Sequence, residues 1–194
     1  MKTKQNIILF LARNFNREYT INEISRGTNK AYSFINKKVH ELIKEQVILE
    51  NKIGKAILCS LNFKNEKTSV LLTLSEIEER EHFFVKNKEL KLILSGFFEK
   101  IRNKVIFGVI FGSYAKGIAK KDSDIDLFIL TERKINLEKE IKEIYSLYGK
   151  ELSAIQLTKN EFLKQKDGEL IKEVKENHII FTGTKKFVDI MYQK

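Results

Sequence analysis

Residues 105–130 read VIFGVIFGSYAKGIAKKDSDIDLFIL, and this stretch decides the fold. A first apolar run ends in the turn Gly112-Ser113, and a second begins with two aspartates two residues apart, Asp124 and Asp126. Because side chains two apart on a strand point to the same face, we expect both carboxylates to project together. Paired carboxylates are the hard oxygen ligands that Mg²⁺ prefers in phosphoryl-transfer sites, and a Gly-Ser turn can offer N–H groups to phosphates.

This motif resembles the signature of the nucleotidyltransferase superfamily related to DNA polymerase beta, and most closely its minimal nucleotidyltransferase branch. The residues that carry the resemblance are Gly112, Ser113, Gly117, Ser123, Asp124 and Asp126. The resemblance implies that Asp124 and Asp126 hold Mg²⁺. It also implies a site for a nucleoside triphosphate, with ATP expected, formed by Gly112, Ser113, Lys116 and Ser123. The alternative interpretation of the motif is a hairpin with two solvated aspartates.

Catalysis depends on a third carboxylate, which active members of that superfamily take from a later strand. The sequence predicts this strand at 152–158, where there is no aspartate, and only Glu151 stands at its edge. If Ser153 occupies the position, two carboxylates remain, enough with substrate phosphates for one Mg²⁺ but poor for a second. Two hypotheses stay open. In the first, the chain is an enzyme with Asp124, Asp126 and Glu151 as catalytic residues. In the second, it is a DNA-binding regulator whose nucleotidyltransferase-like fold serves nucleotide sensing or dimerisation.

Residues 4–64 resemble a winged helix-turn-helix domain along their whole length. Apolar spacing predicts a helix over 4–15 and a short helix over 21–26, with Thr20 and Glu23 as its capping box. A longer helix is expected from about 30 to 46, with an inner stripe formed by Ala31, Ile35, Val39, Leu42 and Ile43. A hairpin with strands at 47–50 and 56–63 follows.

In such a domain the third helix enters the major groove of double-stranded DNA. Its outward residues would be Lys30, Ser33, Asn36 and Lys37, and the hairpin tip would bring Lys52 and Lys55 to flanking phosphates. Residues 1–64 carry 12 Lys and Arg against 5 Asp and Glu, most of the net charge of +10. This imbalance is typical of a nucleic-acid-binding domain. A module that contacts only proteins is the alternative.

The 194 residues, 42% of them hydrophobic, are enough for two packed domains. We predict an α+β chain: a winged helix-turn-helix at 1–64, a linker of one or two helices at 65–103, and a nucleotidyltransferase-like α/β domain at 104–194. The last of these is expected to contain a small mixed sheet. Helices are predicted over 137–148, 159–176 and 185–192. Apolar linker residues should pack on the C-terminal domain, and a homodimer is a further possibility for them.

The remaining expectations concern location and partners. No run of 18 apolar residues indicates a membrane span, and the N-terminus lacks a signal-peptide cleavage site, so a cytoplasmic protein is expected. Cys59 has no partner for a disulfide or zinc site and should pack on a strand. The resemblance to minimal nucleotidyltransferases implies an acceptor hydroxyl on a partner protein such as a HEPN-type toxin, with this chain as antitoxin. An antibiotic-modifying enzyme is disfavoured because no substrate domain follows residue 131.

Overall fold

The computed structural model describes residues 2–15, 17–54 and 56–192. The predicted DNA contact Lys55 therefore lies outside the described residues. The described chain divides into two compact units. The first contains the residues up to Glu76 together with those from Val188 onward, and the second contains Ile77–Phe187.

The first unit combines helices with a small antiparallel sheet. Its elements in chain order are α1 Lys2–Arg13, β1 Tyr19–Thr20, α2 Ile21–Gly27, α3 Tyr32–Lys44, β2 Ile48–Ile53 and β3 Ala56–Leu61. The strands pair in the order β1-β3-β2. The predicted apolar stripes form its core, to which α1 and α3 contribute Ile7, Ile8, Leu11, Ile35, Val39 and Leu42. Cys59 is buried on β3, as predicted.

The capping box that starts α2 is confirmed. The Thr20 hydroxyl accepts from the Glu23 N–H at 3.2 Å, and the Glu23 carboxylate accepts from the Thr20 N–H at 2.8 Å. Hydrogen bonds from the Thr20 backbone and hydroxyl, with a further one from Arg17, lower the pKa of Glu23 to about 2. Two donors at the helix start are satisfied by this one reciprocal pair.

Two predicted details of this unit are wrong. Ala31 is exposed and is the N-cap of α3, because the helix begins at Tyr32 and not at about residue 30. Strand β2 continues to Ile53 instead of ending at Glu50, which shortens the hairpin connection to residues 54–55. Gly54 has a φ of 58°, the left-handed conformation that a two-residue hairpin turn requires.

Helices and a second sheet make up the other unit. Its elements are α4 Glu66–Lys86, which begins in the first unit, α5 Lys88–Ile101, β4 Val105–Ile110, α6 Gly112–Ala115, β5 Ile125–Thr131, α7 Glu138–Tyr148, β6 Leu152–Thr158, α8 Lys159–Gln165, α9 Glu169–Glu176, β7 Ile179–Thr182 and α10 Thr184–Tyr192, which ends in the first unit. The sheet has the order β6-β5-β4-β7. Strands β5 and β6 are parallel and the other pairs antiparallel, which confirms the predicted mixed sheet.

The stretch predicted as a linker of one or two helices contains two, α4 and α5, and apolar residues of α5 enter a core. Leu90, Ile93, Phe97 and Phe98 of α5 are buried in one cluster with Leu127 and Ile129 of β5 and other residues. Leu92 of the same helix is 61% exposed. The single helix predicted over 159–176 is wrong: residues 166–168 separate α8 from α9, and Gly168 is the N-cap of α9. The Asp167-Gly168 pair is a turn signal that outweighed the apolar periodicity.

Candidate functional sites

The turn and the two aspartates predicted from the motif are brought together at one end of the sheet. Strand β4 ends just before Gly112, and antiparallel β5 begins just after Asp124. Ile125 and Leu127 are fully buried, whereas Asp126 is half-buried and Asp124 exposed. The alternation along β5 therefore turns the acidic positions away from the core, as the sequence predicted.

Gly112 and Asp126 are in direct contact. The Phe111 N–H donates to the Asp126 carbonyl at 3.0 Å, which places the start of the turn beside the aspartate. Gly112 has a φ of 61°, and a Cβ on it would lie 2.1 Å from Asp126 Oδ2. The next backbone N–H, that of Ser113, donates to the Asp126 carboxylate. Only glycine combines this backbone conformation with so close an approach.

The surroundings of Asp126 disfavour the ionised form of its carboxylate. Burial, the neighbouring Asp124 and then Glu173 raise the pKa of Asp126, and only the Ser113 N–H and Lys116 oppose them. Like-charged carboxylates at one site disfavour ionisation of each other. A divalent cation between the two aspartates would remove that repulsion.

Lys116 interacts electrostatically with Asp126 but pairs with another acid. Its amine is 2.7 Å from the carboxylate of Glu173 on α9, and this partner raises the pKa of Lys116. Glu173 was not predicted from the sequence, because it lies 47 residues beyond Asp126 and carries no local motif. To reach a bound phosphate, Lys116 would have to leave this ion pair, whose two side chains are about 40% exposed.

Ser123 closes a turn within the loop. Its hydroxyl oxygen accepts from the Lys120 N–H at 2.8 Å, and its own N–H donates to the Lys120 carbonyl at 3.1 Å. The residue therefore shapes the approach to Asp124. Its hydroxyl hydrogen is still free to donate to a ligand, because the hydroxyl only accepts in this turn.

The third strand appears where the sequence predicts it, and Ser153 lies opposite Asp126 in the parallel register of β5 and β6. Glu151 precedes the strand, and its carbonyl accepts from the Ile125 N–H at 2.9 Å. Asp124, Glu151 and Ser153 line one cleft of about 610 Å³ with residues of α7, including Tyr145. Within the described residues, no group of three or more His, Cys, Asp or Glu is arranged to hold a metal ion.

The donor set nevertheless suits Mg²⁺. Mg²⁺ keeps several waters and is commonly held by one or two carboxylates together with substrate phosphates. Asp124 and Asp126 supply two such carboxylates. Burial and then repulsion from Asp124 raise the pKa of Asp126, and the cation would relieve the repulsion. The residues present therefore fit a single Mg²⁺ ion whose coordination is completed by a nucleotide.

The predicted DNA-contact residues lie mostly on the outside of the first unit. Lys30 precedes α3, and Ser33 and Lys37 lie on it; all three are exposed, as is Lys52 on β2. Asn36 is half-buried and lines a cavity of about 370 Å³ with Tyr32 and Ile57. Phe34, which the sequence analysis overlooked, is 57% exposed on the same helix. An exposed phenylalanine on an amphipathic helix could have been recognised from its position outside the inner stripe.

Comparison with known proteins gives one family and one solved structure. Residues 93–186 match the family model described as "Polymerase beta, Nucleotidyltransferase". No curated protein matches the chain. A solved structure, that of Sso10a-2, a DNA-binding protein from Sulfolobus solfataricus, is similar at 20% identity with a TM-score of 0.33. The similarity covers 46% of this chain and 94% of that one.

No helix in the described part of the chain has both the length and the apolar character needed to cross a membrane. The matched region contains the turn, the two aspartates and all four strands of the second sheet. Residues 93–186 are therefore similar to nucleotidyltransferase domains of the polymerase beta type.

Proposed function

We propose that this domain binds a nucleoside triphosphate, with ATP as the expected nucleotide, through Mg²⁺ held by Asp124 and Asp126. The observation that carries the proposal is the contact between Gly112 and Asp126, which keeps the turn and the carboxylates together. The turn and the hydroxyls of Ser113 and Ser123 would hold the β- and γ-phosphates. Mg²⁺ would supply charge neutralisation for the phosphates and leaving group.

We further propose nucleotidyl transfer to a hydroxyl. An acceptor oxygen attacks the α-phosphorus, the bond to the bridging oxygen of the β-phosphate breaks, and pyrophosphate leaves while the hydroxyl proton passes to solvent. Released from Glu173, Lys116 would stabilise charge that develops on the phosphates. Glu151 is the further candidate for a catalytic carboxylate, because it lines the cleft with Asp124. The aromatic ring of Tyr145 in that cleft offers a face for a nucleobase.

The acceptor we favour is a hydroxyl on a partner protein, such as the HEPN-type toxin that the resemblance to minimal nucleotidyltransferases implies. The chain would then act as an antitoxin by modifying its partner. The exposed cleft supports a protein-borne acceptor, since Glu151 and Ser153 are both exposed and accessible to a macromolecule. A homodimer that reads paired half-sites of DNA is compatible with this proposal.

A specific observation favours a second function. Ser153, which the resemblance makes the candidate for the position of the third carboxylate, lies opposite Asp126 in the register of β5 and β6. With two carboxylates, a second metal that activates the acceptor hydroxyl would be held poorly. In this alternative the domain senses a nucleotide or mediates dimerisation, and the chain is a DNA-binding regulator.

Transfer of a radioactive label separates the two functions. The chain is incubated with Mg²⁺, ATP labelled on the α-phosphorus, and an extract of the cells that express it. The enzyme hypothesis predicts a labelled macromolecule that disappears with Asp124→Asn/Asp126→Asn. ATP labelled on the γ-phosphorus is the matched control and should give no labelled product that depends on the two aspartates, because in nucleotidyl transfer that phosphorus leaves in pyrophosphate. Nucleotide binding without transfer would favour the regulator.

We infer that the first unit is a winged-helix domain that binds double-stranded DNA. The order helix, strand, helix, helix, strand, strand supports this inference, and so does the excess of basic residues in 1–64. Helix α3 would enter the major groove, where Asn36 can pair with adenine and Phe34 can contact a thymine methyl group. Lys30, Lys37 and Lys52 would bind phosphates.

Salt dependence tests the DNA surface. Each lost phosphate contact reduces the slope of log K against log salt by about 0.9, so Lys30→Gln/Lys37→Gln should reduce it by about 2. Lys44→Gln/Lys64→Gln is the matched control, because both of these lysines are exposed in the same unit. The control should keep the wild-type slope. An unaltered slope in the Lys30/Lys37 variant would show that the start of α3 does not face DNA.

A further inference from the structure

The second unit contains a basic cavity that the nucleotide site does not use. The cavity has a volume of about 560 Å³ and is lined by residues from three separate stretches of chain. Five lysines lie around it: Lys86, Lys88, Lys120, Lys121 and Lys150. In the described part of the chain, its lining does not include the residues proposed to bind the nucleotide and metal: Gly112, Ser113, Lys116, Asp124 and Asp126. It is therefore a separate candidate site.

The lysine amines of this cavity are not neutralised by neighbouring acids. In the described part of the chain, none of the five forms an ion pair. The Lys150 amine donates to the Lys121 carbonyl, which joins the turn before β6 to the 119–122 segment. Two acids, Glu89 and Asp122, also line the cavity, so the lysines outnumber them by three. Converging positive charge in a concave site attracts and concentrates anions.

The N-terminus of α5 adds backbone donors to the same cavity. This helix spans 14 residues, and its N-cap, Asn87, makes no side-chain capping bond. The Asn87 side chain instead donates to the Phe83 carbonyl at 2.9 Å. The first N–H groups of a helix have no partner within it and carry the positive end of the helix dipole. Lys88 and Glu89, which begin α5, line the cavity, so these donors border it.

We propose that this basic cavity binds a small molecule that carries a polyphosphate group. A cavity of about 300–1,000 Å³ is typical of small-molecule sites, whereas nucleic-acid backbones are bound along extended grooves or stripes. Phosphate oxygens would be bound by the lysine amines and the α5 N–H groups. Tyr114 and Tyr148, both half-buried at the wall, offer aromatic surface to an attached organic group.

Calorimetric titration of sodium tripolyphosphate into the full chain in EDTA tests the proposal. EDTA removes Mg²⁺, which the proposed Asp124/Asp126 site needs, so binding measured in EDTA is attributed to the basic cavity. Two pocket variants, Lys86→Gln/Lys88→Gln and Lys120→Gln/Lys121→Gln, remove exposed lysines from opposite stretches of chain. Each should weaken binding at least about 10-fold, which is about 1.4 kcal/mol. Lys139→Gln/Lys159→Gln, with the same change of charge elsewhere in the unit, should bind like wild type.

Further titrations test which phosphate compound binds and whether the two sites are independent. Titration of ATP in EDTA reports whether an attached organic group adds affinity. Binding of tripolyphosphate or of ATP that is weakened in both pocket variants supports the proposal. Asp124→Asn/Asp126→Asn should retain metal-free binding, even if the proposed nucleotide site is wrong.

Three results would overturn the proposal. The first is no binding by wild type at millimolar ligand. The second is equal weakening in pocket and control variants, which would reveal only general charge. The third is tighter, lysine-dependent binding of a single-stranded oligonucleotide than of tripolyphosphate, which would make the cavity part of a nucleic-acid surface.

Discussion

Substitution of Gly112 by alanine tests how the turn and the aspartates are held together. Gly112 has a φ of 61° and Gly117 a φ of 70°, so alanine at either position adopts the left-handed conformation. That strain costs about 1–2 kcal/mol. A Cβ at Gly117 meets nothing within 4 Å, whereas one at Gly112 would lie 2.1 Å from Asp126 Oδ2. Gly117→Ala is therefore a matched control that carries the strain without the clash.

The difference between the two variants measures the clash alone. Forcing a methyl group into an occupied position typically costs about 1–3 kcal/mol, so Gly112→Ala should lose that much more stability than Gly117→Ala. The displaced Asp126 should also weaken Mg²⁺-dependent ATP binding, because the carboxylate would no longer lie beside the turn. Gly117→Ala should bind nearly as wild type does.

Urea unfolding followed by circular dichroism gives the stabilities, and calorimetry gives the ATP affinities. Equal losses of stability in the two variants would show that Asp126 moves aside freely. Equal ATP affinities would show that its position beside the turn does not matter for binding. Either result would refute the reasoning that links the glycine to the site.

Four further predictions each concern a single side chain. Glu173→Gln should lower the pKa of Asp126, because Glu173 is among the charges that raise it. Mg²⁺-dependent ATP binding is lost as pH falls through that pKa. Binding by the variant should therefore persist to lower pH than binding by the wild type or by the control Glu176→Gln. An unshifted pH midpoint would exclude Glu173 as a regulator of this charge. Thr20→Ala should cost about 0.5–2 kcal/mol of unfolding free energy, because it removes the cap of α2. Since the pKa of Glu23 is lowered to about 2, the stability that Glu23 contributes is present above its ordinary pKa of 4.5 and is lost as pH falls toward 2. Glu23→Gln should therefore flatten the dependence of unfolding free energy on pH over that interval. An unchanged pH dependence would contradict the cap. The Cys59 thiol, whose pKa burial raises to about 11, should not react with a disulfide reagent at pH 8 until the chain is unfolded; rapid labelling of the native chain would show that β3 opens.

Local patterns predicted the elements that local interactions determine. The capping box at Thr20 appears as expected, because both partners lie within one helical turn. Strand β6 has the predicted bounds, and the Asp-x-Asp alternation places Ile125 and Leu127 in the core. The break between α8 and α9 was missed because amphipathic spacing continues across it, although Gly168 marks the position.

Contacts between distant parts of the chain could not be predicted in the same way. The ion pair of Lys116 with Glu173 joins residues 57 positions apart, and nothing in the sequence around either one indicates the other. The basic cavity likewise collects lysines from around residues 86–88, 120–121 and 150. Each of these lysines alone has the sequence signature of an ordinary solvated surface residue. Only the packing of α5, α7 and the loop before β5 gives them a common site.

Asp124 and Asp126 are proposed to form a Mg²⁺-dependent nucleotide site. Calorimetric titration of ATP, with and without Mg²⁺, into the wild-type chain and into Asp124→Asn/Asp126→Asn tests it most directly. We expect the wild type to bind ATP more tightly with Mg²⁺ than without it, and the double variant to lose this Mg²⁺-dependent gain while any metal-free binding at the basic cavity stays unchanged. Mg²⁺-dependent binding that is unchanged in the double variant, or no binding under any condition, would contradict it.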